Sequence, residues 1–436
     1  MKGREGGRLP WVCALVVRQA TRARQKLALQ RWLDAARAYP VFFTTAPLAL
    51  DEGRPPSTPR MEELHSHGPH EHTLAGTFWN HVPNAQPVHV IAGAYRRGVE
   101  VAPSKLMADT STRAVTVQTP HLFIDLRIAA SRPQTCARPL DELTNPELVS
   151  IIVSTHCFGG VTLREPTRPP PLDGTSVFDN VPPGHTCVCT RWHLLDWQPF
   201  PRLTPNRWSV QELWSSGGWA EWSVRRDPAG QAAYIELWME LRGSRSGTYV
   251  ALRRLTASSA SASSSEALLL VAGDSFAYLA GRPTEHALPV VTPGSEGHPA
   301  DRGRIEPLAL AALARGDRAA LLSMLSMECH FGSVAAHSAM ATCPEAQLLR
   351  SSGASTPATA EGSIHTRWCI HLSSWPWMEG TSLEDWVRGF RWQPRGTTGA
   401  GLTLVHAPSG DEWQVVHCEG DLSGVADLLR AGGSRL

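Results

Sequence analysis

The sequence lacks any apolar run near the roughly 20 residues that a membrane-spanning helix requires. It also lacks a C-x-x-C pair, so neither a zinc ribbon nor a thioredoxin-type site is supported. Cys187 and Cys189 share one face of a predicted strand, a spacing that suits a metal. A structural role is nevertheless favoured, because an unpaired cysteine is commonly just buried. The odd number of scattered cysteines predicts free thiols in a reducing compartment, and neither a metal nor a cofactor.

Several enzyme motifs are also absent. There is no G-x-S-x-G, no H-E-x-x-H, no G-x-x-x-x-G-K-[ST], and no G-x-G-x-x-G after a predicted strand. These absences exclude the hydrolase and nucleotide-binding classes that carry such motifs. No catalytic residue is assigned from the sequence.

Basic residues are not in excess over the body of the chain. Residues 1–50 hold nine of the 41 Lys and Arg but only two of the 40 Asp and Glu, which leaves the remainder mildly acidic. Nucleic-acid binding needs a basic surface to meet the phosphates. The sequence therefore predicts no nucleic-acid partner.

Residues 1–72 read as an Arg-rich tail ending in a His-rich linker. The tail fits an organellar transit peptide, although residues 1–50 contain no serine, and it equally fits a plain disordered or helical tail. We expect an intracellular protein, either cytoplasmic or organellar. Four histidines fall within Leu64–His72, but a Pro/Gly-rich segment offers no cage for a metal.

The remaining sequence predicts one β-barrel domain over residues 73–419, followed by a tail over 420–436. Short strand-like segments dominate it, among them Leu122–Ile128, Ser150–Leu163, Ala220–Arg225 and Tyr249–Leu255. Gly273-Asp274 predicts a type II′ hairpin turn. Short helices are predicted over 307–322 and 382–389. Polar or Pro/Gly-rich insertions are expected near 256–266, 283–304 and 343–361. The predicted fold is all-β and mainly antiparallel, a closed or nearly closed barrel that hides its strand edges.

The predicted strands repeatedly place charges and aromatic rings on one face. This face carries Asp125 and Arg127 in one strand, and in two others Arg191 with His193 and Tyr234 with Glu236 and Trp238. If the face meets water, an ion pair there stabilises the fold by less than about 1 kcal/mol. If it lines the interior, the charges must pair, because an isolated buried ion costs several kcal/mol. The pattern alone leaves both arrangements open, and the solvated face is the commoner outcome in antiparallel sheets.

A set of segments, in order along the chain, supports a family resemblance. They are V-Q-T-P-H-L-F-I-D-L-R-I (117–128), F-G-G-V (158–161), T-R-W-H-L-L-D-W-Q-P (190–199), Y-I-E-L-W (234–238), L-L-V-A-G-D-S-F-A-Y-L-A-G-R-P (269–283), M-E-C-H-F-G (327–332) and S-S-W-P-W-M-E-G (373–380). The chain thereby resembles an uncharacterised lipocalin-like family of bacterial and algal barrel proteins, and more remotely a fungal two-barrel family. The resemblance implies a calycin-type barrel with family positions at Asp125, Arg127, His193, Tyr234, Glu236 and Trp238, and it implies no activity.

The favoured interpretation is a non-enzymatic barrel that binds a partly apolar small molecule with a polar end in its interior. The expected ligand-binding residues are Asp125, Arg127, Arg191, His193, Tyr234, Glu236 and Trp238. One alternative is a barrel enzyme that uses Glu236 or Asp125 with His193 for acid/base chemistry. The other is a protein-interaction scaffold with a solid barrel. The oligomeric state stays open.

Overall fold

A computed structural model describes most of the predicted strand region. The described residues are 88, 91–102, 107–133, 138–164, 185, 187–198, 206–213, 218–225, 232–245, 247–255, 266–283, 304–334, 368–387, 389–393 and 403–420. The predicted tail over 1–72 lies outside these residues, as do the tail over 420–436 except for Gly420 and nearly all of the three predicted insertions.

Eight antiparallel strands close into a barrel. Each strand pairs with its neighbour in sequence, and the last strand returns to pair with the first. The barrel strands are β1 (Gly93–Ala102), β3 (Arg113–Gln118), β4 (Leu122–Ile128), β5 (Thr155–Arg164), β6 (Cys187–Asp196), β7 (Asn206–Leu213), β8 (Gly218–Ser223) and β9 (Ile235–Glu240). The short β2 (Met107–Asp109) pairs with the second half of β1. The predicted closed, mainly antiparallel barrel is confirmed.

Strand β4 shows how the alternating sequence builds the barrel wall. Leu122, Ile124 and Leu126 are buried in a core outside the barrel, whereas the intervening residues point inward. Asp125 is completely buried, so this charged face lines the interior rather than water. The two faces of the strand therefore lie in two different buried environments, one apolar and one polar.

The later strands form a second antiparallel sheet, which the sequence analysis does not separate from the barrel. Its order is β14-β13-β12-β11-β10-β17-β16-β15. The strands are β10 (Tyr249–Leu255), β11 (Ala267–Ala272), β12 (Ser275–Ala280), β13 (Glu328–Ser333), β14 (Cys369–Ser373), β15 (Phe390–Gln393), β16 (Thr403–His406) and β17 (Asp411–Glu419). One face, through Leu268, Leu270 and Leu279, packs on the barrel wall. The other face carries a separate core around Phe276 and Trp413.

The predicted hairpin lies in this second sheet. Ala272 pairs with Ser275, so Gly273 and Asp274 form a two-residue turn. Gly273 adopts φ +54°, which fits the first central position of the predicted type II′ turn and favours glycine. A Cβ atom there would also lie 1.9 Å from the carbonyl oxygen of Gly243.

Four short α-helices lie among the described residues, at α1 (Asn145–Ser154), α2 (Ile305–Ala314), α3 (Arg318–Met324) and α4 (Glu384–Val387). The helix predicted over 307–322 is two helices, because Gly316 takes φ +66° and Asp317 caps the second one. The strand predicted at residues 150–154 is wrong, because these residues belong to helix α1. The sequence does carry a signal for the start of this helix, since Thr144 and Glu147 form a capping box around Pro146.

In the part of the chain that the structure describes, none of the helices has the length and apolar character needed to cross a membrane.

Candidate functional site

The barrel interior is partly filled and partly open. Aromatic rings fill one region, where Trp219 stacks on Trp238 at 5.7 Å and meets Tyr95 edge-on at 5.8 Å. Beside them lies a cavity of about 180 Å³. Its walls are Glu100, Arg127, His156, Phe158, Arg191, Asn206, Trp208, Glu221, Tyr234 and Glu236. A space of this size and polarity can hold a small polar molecule.

A row of carboxyl groups crosses one wall of the cavity. Glu221 lies directly opposite Glu236 on the neighbouring strand, and Glu236 lies directly opposite Glu100. Asp109 on β2 continues the row, opposite Glu100. Like charges placed directly opposite one another destabilise a sheet. The row is therefore stable only with positive charges or protons between its members.

Two guanidinium groups supply most of that positive charge. Arg127 donates from Nε to Asp125 Oδ1 at 2.8 Å and from Nη1 to Glu236 Oε1 at 2.6 Å. Arg97 donates from Nη1 to Glu236 Oε1 at 2.9 Å, and it also bonds Glu100 and Asp109. Such charge-assisted hydrogen bonds are the stronger kind, and here they join four strands across the interior.

A third guanidinium lies between aromatic rings. The Arg191 Cζ atom is 4.2 Å from the Phe123 ring centre and 4.7 Å from that of Trp208. Its polar atoms reach Thr162 Oγ1 at 3.4 Å and Gln118 Oε1 at 3.3 Å. This packing fixes the guanidinium plane through cation–π contacts and leaves it 3.8 Å from Asp125.

The carboxyl groups of the interior divide into two electrostatic classes. Burial alone would raise the pKa of Asp125, but the charge and hydrogen bonds of Arg127 outweigh it and lower that pKa. Burial and the neighbouring Glu236 together raise the pKa of Glu221 to about 7, against the charge of Arg191 and a hydrogen bond from Tyr234. Burial and Glu236 also raise the pKa of Glu100. Asp125 is thus a fixed anion, whereas Glu221 exchanges its proton near neutral pH.

The Tyr234 hydroxyl donates to Glu221 Oε1 at 2.7 Å. The second oxygen of this carboxyl group, Oε2, is buried and has no hydrogen-bond partner. The indole Nε1 of Trp208, also on the cavity wall, is buried without an acceptor. Buried polar atoms in native proteins are usually hydrogen-bonded, so this pair of atoms needs an explanation.

His193 belongs to a separate cluster. Its Nδ1 atom lies 2.7 Å from Asp196 Oδ2, and its ring stacks on Phe158 at 4.3 Å. His156 Nε2 lies 3.5 Å from the other Asp196 oxygen. Burial would raise the pKa of Asp196, but its hydrogen bonds with the two histidines hold that pKa far below the ordinary range. The cluster therefore keeps the carboxylate of Asp196 ionised next to Phe158, which lines the cavity.

The structure brings four of the seven predicted site residues to the cavity wall, namely Arg127, Arg191, Tyr234 and Glu236. The other three, Asp125, His193 and Trp238, are buried but do not line it. The residues predicted to share a strand face do share one. Whether a side chain on that face lines the cavity depends on how deep it lies within the barrel. Depth is not visible in an alternating pattern.

Sequence reasoning missed the cavity residues Glu100, Glu221 and Trp208. Glu221 had a readable signal, since it lies in a predicted strand and alternates with Trp222. Glu100 also alternates with Val99 and Val101, but the β-bulge between Arg97 and Val99 shifts the phase of β1, so its place beside Glu236 could not be read from the sequence. After that bulge, the side chains that point into the barrel are those that the alternation before the bulge would place on the outside. A prediction that continues the same alternation therefore assigns the wrong residues to the interior.

Among the described residues, no group of three or more His, Cys, Asp and Glu side chains is arranged to hold a metal ion.

Comparison with known proteins gives no relative for this chain: no family model, no curated protein and no solved structure matches it. The resemblance to lipocalin-like barrel proteins therefore stays a prediction, and the architecture described above rests on the structure alone.

Proposed function

We propose that the protein binds a small molecule in the cavity of its barrel. The observation that carries the proposal is the buried Oε2 atom of Glu221, which has no hydrogen-bond partner although its residue lines the cavity. Leaving a buried polar atom unsatisfied costs about 1–3 kcal/mol. A ligand that hydrogen-bonds this oxygen would recover that free energy on binding.

The cavity walls support the kind of ligand expected from the sequence, with a polar end and some apolar surface. Glu221 and Tyr234 offer the polar contacts, and Phe158 and Trp208 contribute ring carbon atoms. Ligand sites in barrels commonly combine an apolar wall with a few fixed polar groups. The space between these walls also disfavours the alternative of a solid barrel that acts only as a scaffold.

A second candidate function is acid/base catalysis in the same cavity. It is favoured by the pKa of about 7 at Glu221, which suits proton exchange near neutral pH. The predicted bases Asp125 and Glu236 suit that role less well, because both are held in two-point hydrogen bonds by Arg127. The enzyme hypothesis is thus carried by Glu221.

The binding proposal is tested by identifying what the protein retains. The full chain is purified under native conditions and denatured, and released compounds are measured by mass spectrometry. The matched variant is Asn206→Trp, which puts a large side chain into the cavity, since Asn206 lines it and pairs with the inward Arg191. We expect a compound that the wild type retains and this variant does not.

The control is Arg315→Trp, which adds the same side chain at a position that is 63% exposed, after α2. It should retain the compound as the wild type does. Circular dichroism confirms that both variants fold. Equal retention by wild type and Asn206→Trp would show that binding does not occur in the cavity. Turnover of the retained compound, lost in Glu221→Gln, would instead favour the enzyme hypothesis.

A further inference from the structure

We infer that the cavity takes a compact organic cation, such as a small amine, and not an anion or a neutral polyol. This inference rests on the proposed function and adds the chemical class of the ligand. It follows from which donors and acceptors of the interior are already used by the protein.

The guanidinium groups have little left to offer an anion. Arg127 directs Nε and Nη2 to Asp125 and both Nη atoms to Glu236. Arg97 directs its two Nη atoms to three carboxyl groups and is almost fully buried. An anionic ligand would have to displace these internal partners, which would leave carboxylates buried and unpaired.

The third guanidinium is occupied in a different way. Arg191 lies over two aromatic rings and donates to Thr162 and Gln118. Its side chain is only 3% exposed. Turning it toward a ligand would give up the ring contacts, so Arg191 acts as a fixed positive charge in the wall.

The acceptors of the same wall are not used up. Glu221 is 4% exposed and its Oε2 atom has no partner, while its other oxygen accepts only one bond from Tyr234. Glu236 and Glu100 follow on the adjacent strands and line the same cavity. The indole Nε1 of Trp208 is also without a partner, but it carries no charge, so the charge that this wall leaves for a ligand to balance is negative.

The balance of charge points the same way. Five carboxyl groups (Glu100, Asp109, Asp125, Glu221 and Glu236) and three guanidinium groups (Arg97, Arg127 and Arg191) meet in this network. The network therefore holds two more acidic groups than basic ones. Burial and the neighbouring Glu236 raise the pKa of both Glu100 and Glu221, and a bound ammonium group would add the positive charge that this wall lacks.

The ligand must also be small. The cavity volume of about 180 Å³ lies below the roughly 300–1,000 Å³ that is typical of pockets for drug-sized ligands. A short aliphatic diamine is of that size, and its two charges match the acidic excess. We therefore use 1,4-diaminobutane as the probe, with 1,4-butanediol as its neutral analogue and succinate as its anionic one.

The experiment is a calorimetric titration of the full chain with each probe at neutral pH and low salt. We expect 1,4-diaminobutane to bind at least about ten-fold more tightly than the other two, a difference of about 1.4 kcal/mol. Glu221→Gln should weaken diamine binding at least about ten-fold. Glu142→Gln, which removes an exposed carboxylate outside the barrel, should bind as the wild type does.

Three results would overturn the inference. They are equal binding of the diol or succinate, diamine binding that survives Glu221→Gln, and no binding of any probe. None of these decides the proposed function, which depends on retention by wild type against Asn206→Trp. If Glu221→Gln does not fold, the order of the three probes on the wild type still decides the ligand class.

Discussion

Asp125 and Arg127 illustrate how an ordinary two-residue spacing becomes a buried charge network. Both side chains lie on the inner face of β4, where Asp125 is completely buried and Arg127 bridges to Glu236 on β9. The sequence predicts the shared face, because alternation in a strand is a local property. It does not predict the bridge, because Glu236 lies 109 residues away.

Replacing Arg127 with Met should destabilise the fold strongly. The change leaves Asp125 without its strongest partner and removes two bonds from Glu236, and an uncompensated buried charge costs about 3–5 kcal/mol. Urea unfolding measures the loss. The control is Arg138→Met, which breaks a partly exposed pair with Glu147 outside the barrel and should cost less than about 1 kcal/mol. Similar losses in both variants would contradict an interior network that depends on Arg127.

The proton on Glu221 should make stability depend on pH. The folded protein raises this pKa from 4.5 to about 7, so it holds a proton that the unfolded chain has already lost. Stability due to Glu221 is therefore full below about pH 4.5 and falls as the pH rises through about 7, by up to roughly 1.4 kcal/mol per unit.

Glu221→Gln removes this proton and keeps the shape of the side chain. Between about pH 5 and pH 8, its free energy of unfolding should fall less than that of the wild type, by about 1–3 kcal/mol. Urea unfolding at both pH values measures the difference. Identical pH dependence in the two proteins would show that Glu221 is ionised throughout and would remove the basis for its proton exchange.

At the scale of single elements, local signals predicted most strands but not their irregularities. The Gly273 hairpin follows from turn chemistry, and Tyr249–Leu255 follows from its residue types. The β-bulges in β1 and between β5 and β6 depend on partner strands, so they could not be read from one segment. These bulges set the depth and direction of Glu100 and His193, which is why the sequence identified the site only in part.

Gly160 tests the bulge between β5 and β6. A Cβ atom there would lie 2.0 Å from the Trp192 carbonyl oxygen and 2.8 Å from the Leu194 nitrogen, both of them backbone atoms. Gly160→Ala should therefore force the two strands apart and cost more than about 2 kcal/mol by urea unfolding. In Gly98→Ala the closest atom is the flexible Met239 methyl group, so a smaller loss is expected. Equal losses would mean that the close approach at Gly160 is not needed.

At the scale of the whole molecule, the barrel and the second sheet share one hydrophobic core. Ile124 and Leu126 on the barrel wall belong to the same cluster as Leu270 and Leu279 on the second sheet. The all-β class could be predicted from many short alternating strands. The division into two sheets could not, because strands of both sheets carry the same apolar pattern and only long-range pairing separates them.

Leu270→Ala should destabilise both sheets together. The side chain is completely buried in the shared core, and such a truncation costs about 2–5 kcal/mol. Hydrogen exchange followed by mass spectrometry should show equal loss of protection in β4 and β11. The control is Leu310→Ala, which truncates a half-exposed residue of α2 and should change stability by less than about 1 kcal/mol. Loss of protection in β11 alone would show that the two sheets unfold independently.

The most direct test of ligand binding is a crystal structure of the full chain grown with the compound that it retains through purification. We expect the compound to occupy the space between Glu221, Tyr234 and Trp208, with a donor atom about 2.7–3.2 Å from Glu221 Oε2. An empty cavity, with the same compound bound on the outer surface, would contradict it.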